Sequence, residues 1–319
     1  MRDNLPAWLL ESFSSLVEVA KADRLPHGLL LVGRSGDGAS LLSQVLIDYL
    51  LCLKPGDQAC GQCKSCQLNR SGSHPDYLRI EPDGKSMTIK IDAVRQITHK
   101  LSETAQQGGS KVIYLQSAEK MNVNAANALL KVLEEPTPNT FILLEASELS
   151  RTLPTIRSRC RLVQLPRPTI EQARQYLDFQ GFQGNSEVAL SMTFTAPIDV
   201  LKLTDDQINA WQEIERTFAD PKSFIAFSQF IAKQDLPILF QQLLLWVDTT
   251  IKEKNGQISL APVSDRLLQS LKAMSAITLF RFRDYIVGIL SAFQRHANLN
   301  QQLLAEELAA RWIELRGYK

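Results

Sequence analysis

The chain has 319 residues, 45% of them apolar and 22% charged, with 35 Lys and Arg against 34 Asp and Glu. At about 100–200 residues per domain this length predicts two or three domains, each able to bury a core without disulfides. A net charge of +1 excludes a protein that coats nucleic acid by global charge, and the longest apolar runs, residues 49–53 and 243–247, fall far short of the roughly 20 residues of a membrane span. The first eleven residues carry Asp3, Pro6 and Glu11 around a short apolar patch. They lack the basic start, long apolar core and small-residue cleavage site of a secretory signal, so the chain is expected in the cytoplasm, with no membrane partner.

In chain order, residues 29–32 are an apolar run that ends in Gly33-Arg34-Ser35-Gly36-Asp37-Gly38 and is followed by Leu41, Leu42, Val45, Leu46, Tyr49 and Leu50. That pattern predicts strand, glycine loop and amphipathic helix. A strand at 77–80 follows, then Ile91, Val94, Ile97 and Leu101 at helical spacing and a buried strand at 112–115. A helix through Ala125, Ala126, Leu129, Leu130 and Leu133 stops at Pro136, and strands are expected at 141–144 and 162–165. Such alternation predicts an α/β domain with a parallel sheet covered by helices on both faces. After Pro166 the pattern turns to short helices at 169–177, 186–192 and from Pro197. From about Asp206 only long amphipathic segments remain, including 224–231, 238–251, 267–274, 280–293 and 303–313. Three domains are expected, with boundaries near 166 and 207, and the four tryptophans read as core.

Gly33-x4-Gly38-Ala39-Ser40 has the spacing and the strand-to-helix context of a phosphate-binding P-loop. A working loop cradles phosphates with backbone N–H groups and brings a lysine to the β and γ oxygens. Ala39 stands where that lysine belongs. Ser40 keeps the hydroxyl that would touch magnesium, but the acidic partner expected after the strand 111–115 is replaced by Gln116-Ser117. Two separate losses argue against nucleotide hydrolysis, and a tight turn packing strand on helix accounts for the glycines equally well.

Four of the five cysteines, Cys52, Cys60, Cys63 and Cys66, fall within fifteen residues, and Cys160 stands apart. In a reducing compartment this density reads as a metal site before it reads as disulfides. Four thiolates close a tetrahedral shell around a structural Zn²⁺ and leave no position open for chemistry. An iron–sulfur cluster is the alternative, although the fourth ferredoxin cysteine followed by proline is missing. His74, in His74-Pro75-Asp76, reads as a residue that fixes the loop. Lys90, Arg95, Lys100 and Lys111 form a candidate phosphate-touching stripe, but Asp92 and Glu103 interrupt it, and a solvated face accounts for these charges at least as well.

Taken together these residues resemble the delta-prime subunits of bacterial DNA polymerase III clamp loaders, within the AAA+ superfamily. The resemblance rests on Gly28-Leu29-Leu30 ahead of the defective P-loop, the cysteine knuckle, Ser73-His74-Pro75-Asp76-Tyr77 and Asp92-Ala93-Val94-Arg95. It continues through Gly108-Gly109-Ser110-Lys111-Val112, Ala125-Ala126-Asn127-Ala128-Leu129-Leu130-Lys131, Leu133-Glu134-Glu135-Pro136 and Ser158-Arg159-Cys160. It is dense from Leu25 to Pro166, thin beyond, with a weaker echo at 300–312. The gamma and tau ATPase subunits share several of these blocks, and the missing lysine and acidic pair select delta-prime.

The resemblance implies an AAA+ α/β domain over residues 1–166 with an inserted zinc knuckle, a small helical lid over 167–207 and a helical collar over 208–319. It implies a subunit with no functional ATP site, associated with gamma/tau ATPase subunits and a delta subunit in a ring that places the sliding clamp on primed DNA. Arg159 would be an arginine finger acting in trans on a neighbour's ATP, with Arg157 close enough to be confused with it. The weak sensor position near Ala146-Ser147, and Ala196-Pro197 where an active subunit would carry a sensing arginine, fit a dead site. Two other readings are kept: an active gamma-type clamp-loader ATPase, opposed by Ala39, Gln116 and Ser117, and a zinc-containing nucleic-acid-binding protein. The second has Lys54, Lys64 and Arg70 in the knuckle but lacks interleaved aromatics.

Overall fold

Leu29, Leu30 and Leu31 have no exposed surface at all, and the strand they form has neighbours on both sides. The computed structural model describes residues 5–83, 87–257, 262–295 and 299–316, so Asp3 lies outside the described residues. The chain forms two compact units, Met1–Pro168 and Thr169–Lys319.

In the first unit the elements follow in the order α1 (Leu10–Lys21), β1 (Gly28–Val32), α2 (Ala39–Leu51), α3 (Lys64–Arg70), β2 (Tyr77–Ile80), α4 (Ile91–Ser102), β3 (Lys111–Leu115), α5 (Val123–Glu134), β4 (Thr140–Ala146), α6 (Pro154–Arg157) and β5 (Arg161–Gln164). The strands make one five-stranded sheet in the order β2-β3-β4-β1-β5, and every pairing is parallel. Side chains of a strand alternate between faces. Leu30, Val32, Ile113, Leu115, Ile142 and Leu144 therefore share one face, where they pack with Val94 and Ile97 of α4 and Leu129 and Leu133 of α5. Leu29, Leu31, Val112, Tyr114 and Leu143 point the other way and are buried too. Burial on both faces is why the inner strands read as unbroken apolar runs. The expected strands at 29–32, 77–80, 112–115, 141–144 and 162–165 are all present.

Local chemistry sets the helix ends. Asn122 accepts the Ala125 N–H at 2.8 Å as the N-cap of α5, and Pro136 follows two residues after its last turn. The buried Lys111 donates from Nζ to the carbonyls of Leu101 and Glu103 at 2.8 and 2.9 Å, capping the C-terminus of α4. This removes Lys111 from the expected phosphate stripe. Arg95 pairs with Asp92 and Lys100 with Glu103, so two further members are neutralised by acids of the same segment.

Among the described residues the elements of the second unit are all helices: α7 (Ile170–Phe179), α8 (Ser186–Met192), α9 (Pro197–Val200), α10 (Asp205–Ala219), α11 (Phe224–Ala232), α12 (Leu236–Lys254), α13 (Asp265–Lys272), α14 (Ala276–Gln294) and α15 (Gln301–Leu315). Thr169 with Gln172 and Thr204 with Gln207 form reciprocal capping boxes that start α7 and α10. One continuous core runs from Ala173 and Leu177 through Phe218 and Trp246 to Trp312. Phe218 is its hub, with ring centroids 5.0 Å from Phe227, 5.8 Å from Trp246 and 5.0 Å from Trp312. The Trp312 indole N–H and the Arg316 guanidinium both donate to the Phe218 carbonyl, satisfying the end of α10. All four tryptophans are buried. Among the described residues no helix is long and apolar enough to cross a membrane.

Within this core Glu215 of α10 is 4% exposed. Ser191 of α8 donates to its Oε1 at 3.4 Å, and Gln242 of α12 donates to Ser191 Oγ at 2.8 Å. Burial pushes the Glu215 carboxyl up to about 7, and the hydroxyl donors offset it only partly. A folded value above the unfolded one makes the stabilisation complete below about pH 4.5 and lost as pH rises through about 7. The wild type is therefore expected to lose about 2–3 kcal/mol relative to Glu215→Gln between pH 5 and pH 8. Urea denaturation of both chains at the two pH values measures this, and an unchanged difference refutes it.

Candidate functional site

Cys52 ends α2, Cys60 lies in the following loop, Cys63 is the N-cap of α3 and Cys66 sits in its first turn. The chain reverses at Gly61, whose φ of +71° suits glycine. All four Sγ atoms come within 4.8 Å of one another, with the Cys52–Cys63 and Cys60–Cys66 pairs at 4.0 Å. Four thiolates at about 2.3 Å around a tetrahedral ion lie about 3.8 Å apart, close to this arrangement. Backbone N–H groups of Cys60, Cys63 and Cys66 donate to the sulfurs of Cys52, Cys60 and Cys63 at 3.3, 3.4 and 3.5 Å. Amide donors from Gln62 and Cys63 bring the Cys60 thiol down to about 6, whereas burial pushes Cys66 up. A cation among the sulfurs would reverse the penalty on the buried member. The four cysteines can bind a metal ion.

His74 serves a different purpose. Its Nδ1 accepts the Asp76 N–H at 3.0 Å, which leaves the proton on Nε2 to meet Ser65 Oγ at 2.6 Å, while the Ser65 hydroxyl donates to the Leu51 carbonyl. Burial lowers the His74 value, in keeping with a neutral ring. Both carboxylate oxygens of the buried Asp76 accept backbone N–H groups, from Gln106 at 2.7 Å and Gln107 at 2.9 Å. The chain of bonds ties the end of α2, the start of α3 and the entry to β2 together, so the knuckle has a fixed base.

The glycine loop connects β1 to α2. Gly36 and Gly38 have φ of +79° and +106°, and Gly38 is the N-cap of α2. The Trp8 indole donates to the Asp37 carbonyl at 2.8 Å, and Arg34 Nη2 meets Asp37 Oδ1 at 2.9 Å. Asp37 is 1% exposed. A buried carboxylate one residue before the N-cap adds negative charge where a phosphate would use the positive helix end. Ala39 is buried and carries no charge, and Gln116 after β3 accepts from Arg79 at 3.2 Å.

Arg159 lies between α6 and β5. The first residue of β5, Arg161, pairs with Leu29 at the start of β1, whereas the glycine loop leaves the far end of β1 at Gly33. Parallel pairing therefore puts the loop and Arg159 at opposite ends of the sheet, about 16 Å apart for a five-residue strand. The approach at Gly28 is close: an added Cβ would stand 3.3 Å from the Arg159 carbonyl oxygen and 3.3 Å from Cys160 Sγ. The guanidinium meets Glu134 Oε1 through Nε at 2.7 Å and Nη2 at 2.5 Å, and Nη1 donates to the Thr155 carbonyl at 3.1 Å and Ser158 Oγ at 3.3 Å. Arg157 ends α6 and is exposed.

A family profile described as "DNA polymerase III, delta subunit" matches residues 10–169. The delta' subunit of DNA polymerase III from Pseudomonas aeruginosa is 34% identical over 307 residues, covering 91% of this chain and 93% of that protein. The delta' subunit from Escherichia coli is 38% identical over 209 residues, covering 65% of this chain and 63% of that protein. The chain belongs to the delta-prime family of DNA polymerase III subunits. A crystal structure of a DNA polymerase III gamma-subunit-related protein from Thermotoga maritima superposes with a TM-score of 0.54 at 21% identity, covering 94% of this chain and 99% of that one. The delta-prime chain thus shares that protein's fold, a parallel α/β sheet domain followed by a helical C-terminal part.

In this delta-prime chain the structure brings the four cysteines together and places Gly33 and Gly38 in the loop that leads into α2, whose first two residues are Ala39 and Ser40, with Arg159 at the other end of the sheet. Sequence reasoning missed Asp37, Glu134 and Glu145. Glu145 extends the apolar run of β4, accepts a hydrogen bond from Tyr114 and is pushed up by burial; a carboxylate inside such a run was its only signal. Replacing His74 by Ala is expected to lower the unfolding free energy by about 1–3 kcal/mol, because Ser65 and the Asp76 N–H lose their buried partner. Metal uptake by the four cysteines should stay intact. Urea denaturation with parallel metal analysis checks both, and loss of metal with unchanged stability would make His74 a ligand.

Proposed function

We propose that this chain is the non-hydrolysing delta-prime component of a DNA polymerase III clamp loader, supplying Arg159 to the ATP site of a neighbouring subunit. The observation that carries the reading is the separation along β1. Arg159 lies a full strand length from its own glycine loop, so it serves an ATP site on another chain or none. The loop holds the buried Asp37, α2 opens on Ala39 with no lysine, and the two positions directly after β3 are Gln116 and Ser117, which supports the absence of intrinsic ATPase. Residues 1–166, 167–207 and 208–319 then act as AAA+ domain, lid and collar. The partners are gamma/tau ATPase subunits and a delta subunit, with the sliding clamp and primed DNA engaged through the complex.

In the neighbour's site the guanidinium would stabilise charge developing on the γ-phosphate, an effect of about 10³–10⁵ in rate where such fingers are measured. The knuckle holds one zinc ion through Cys52, Cys60, Cys63 and Cys66, a closed shell with a structural role. The test is clamp- and DNA-stimulated ATPase of a loader reconstituted with this chain. Arg159→Ala is expected to lower kcat by about 10-fold or more while gel filtration shows an intact assembly. An unchanged rate in an intact assembly removes the finger. Metal analysis is expected to find about one zinc per chain, and none after Cys60→Ser; iron with a visible absorption band would favour the iron–sulfur alternative.

A further inference from the structure

The geometry points to Glu134 as the residue that positions Arg159 for action on the neighbouring site, an inference that rests on the trans-acting role of Arg159 proposed above. Glu134 is the last residue of α5, with Glu135 beside it. Carboxylates at a helix C-terminus face the negative end of the macrodipole, so local helix stability does not account for a glutamate there. Its location is nevertheless fixed. His27 Nε2 donates to the Leu133 carbonyl at 2.8 Å, and Leu133 is 2% exposed in the sheet core. The turn bearing Glu134 is thereby fastened to the segment that opens β1, the same strand end against which the Arg159 backbone packs at Gly28.

The contacts also divide the guanidinium. Glu134 Oε1 takes the Nε and Nη2 side, and Thr155 and Ser158 take Nη1. A guanidinium has five N–H donors in a planar fork, so this arrangement leaves Nη2 a further N–H beyond the one given to Glu134. A long side chain that would otherwise sample many rotamers is held in one plane with donor capacity remaining for an anion. The pair is partly solvated, with 35% of the Arg159 and 48% of the Glu134 side chain exposed, so its contribution to folding stability is small. A contact that adds little stability and stands in an unfavourable helix position is accounted for by orientation of the arginine.

The test is a double-mutant cycle in the reconstituted loader, reading kcat and KM for ATP with clamp and primed DNA. Glu134→Ala is expected to lower kcat by about tenfold with KM within about twofold, and Glu134→Gln, which keeps an oxygen acceptor, to recover most of the loss. In the Arg159→Ala background Glu134→Ala should change nothing further. The melting temperature of the free chain serves as the structural control and should be unaltered by Glu134→Ala. If Arg159→Ala lowers kcat but Glu134→Ala does not, the positioning role is overturned and the finger stands. Equal losses from Glu134→Ala with and without Arg159 also overturn it, because Glu134 then acts elsewhere. If Arg159→Ala leaves kcat unchanged in an intact assembly, both readings fall together.

Discussion

The parallel pairing of β1 with β4 on one side and β5 on the other is the constraint on which the rest of the first unit depends. Parallel strands start at one edge of the sheet and finish at the other, so whatever precedes β5 is held far from whatever follows β1. The glycine loop and Arg159 are each within a few residues of β1 in space, yet at its two ends. No rotamer of a single arginine closes a strand length, because its side chain reaches less than half of about 16 Å. The same pairing goes with the close approach at Gly28, where Leu133, Arg159 and Cys160 converge and an added Cβ would stand 3.2–3.3 Å from each, so that they would have to give by a few tenths of an ångström.

Around this sheet the charged and polar residues of the recognisable motifs act mostly on the fold. Lys111, inside a Gly-Gly-Ser-Lys-Val block, is an internal cap for α4. His74 and Asp76, inside Ser-His-Pro-Asp-Tyr, satisfy backbone and hydroxyl groups that would otherwise be buried without partners. An unmade buried hydrogen bond costs more than a made one contributes. Such residues are therefore hard to replace whatever the protein does, and a family motif can consist of residues whose bonds are internal to the fold. The cysteines are a different case, since their sulfurs converge with backbone donors aimed at three of them.

Much of the fold was legible because both signals it uses are local. Unbroken apolar runs such as Leu29-Leu30-Leu31-Val32 marked strands buried on two faces, and the apolar spacing from Ala125 to Leu133 marked α5. The order of the strands in the sheet was not legible, because nothing in a run of leucines says which neighbour it takes. Lys111 was misread as a surface charge for the same reason: its partners, the carbonyls of Leu101 and Glu103, are backbone groups that any sequence has. The four cysteines could be grouped by spacing alone. Arg159 could be found only by resemblance, since a three-residue motif carries no physical signature, and Glu134, 25 positions earlier, gave none at all.

The glycine loop, finally, has the geometry of a phosphate cradle with its positive end already answered from within. Trp8 holds the loop by its Asp37 carbonyl, and the Asp37 carboxylate is paired with Arg34 while standing next to the α2 N-terminus. The loop is thus held by contacts within the chain itself. The groups that orient Arg159 belong to α5, α6 and the opening of β1, and none belongs to that loop. The Arg159 guanidinium is thus held by groups at one end of β1, while the loop at the other end is satisfied within its own segment of the chain.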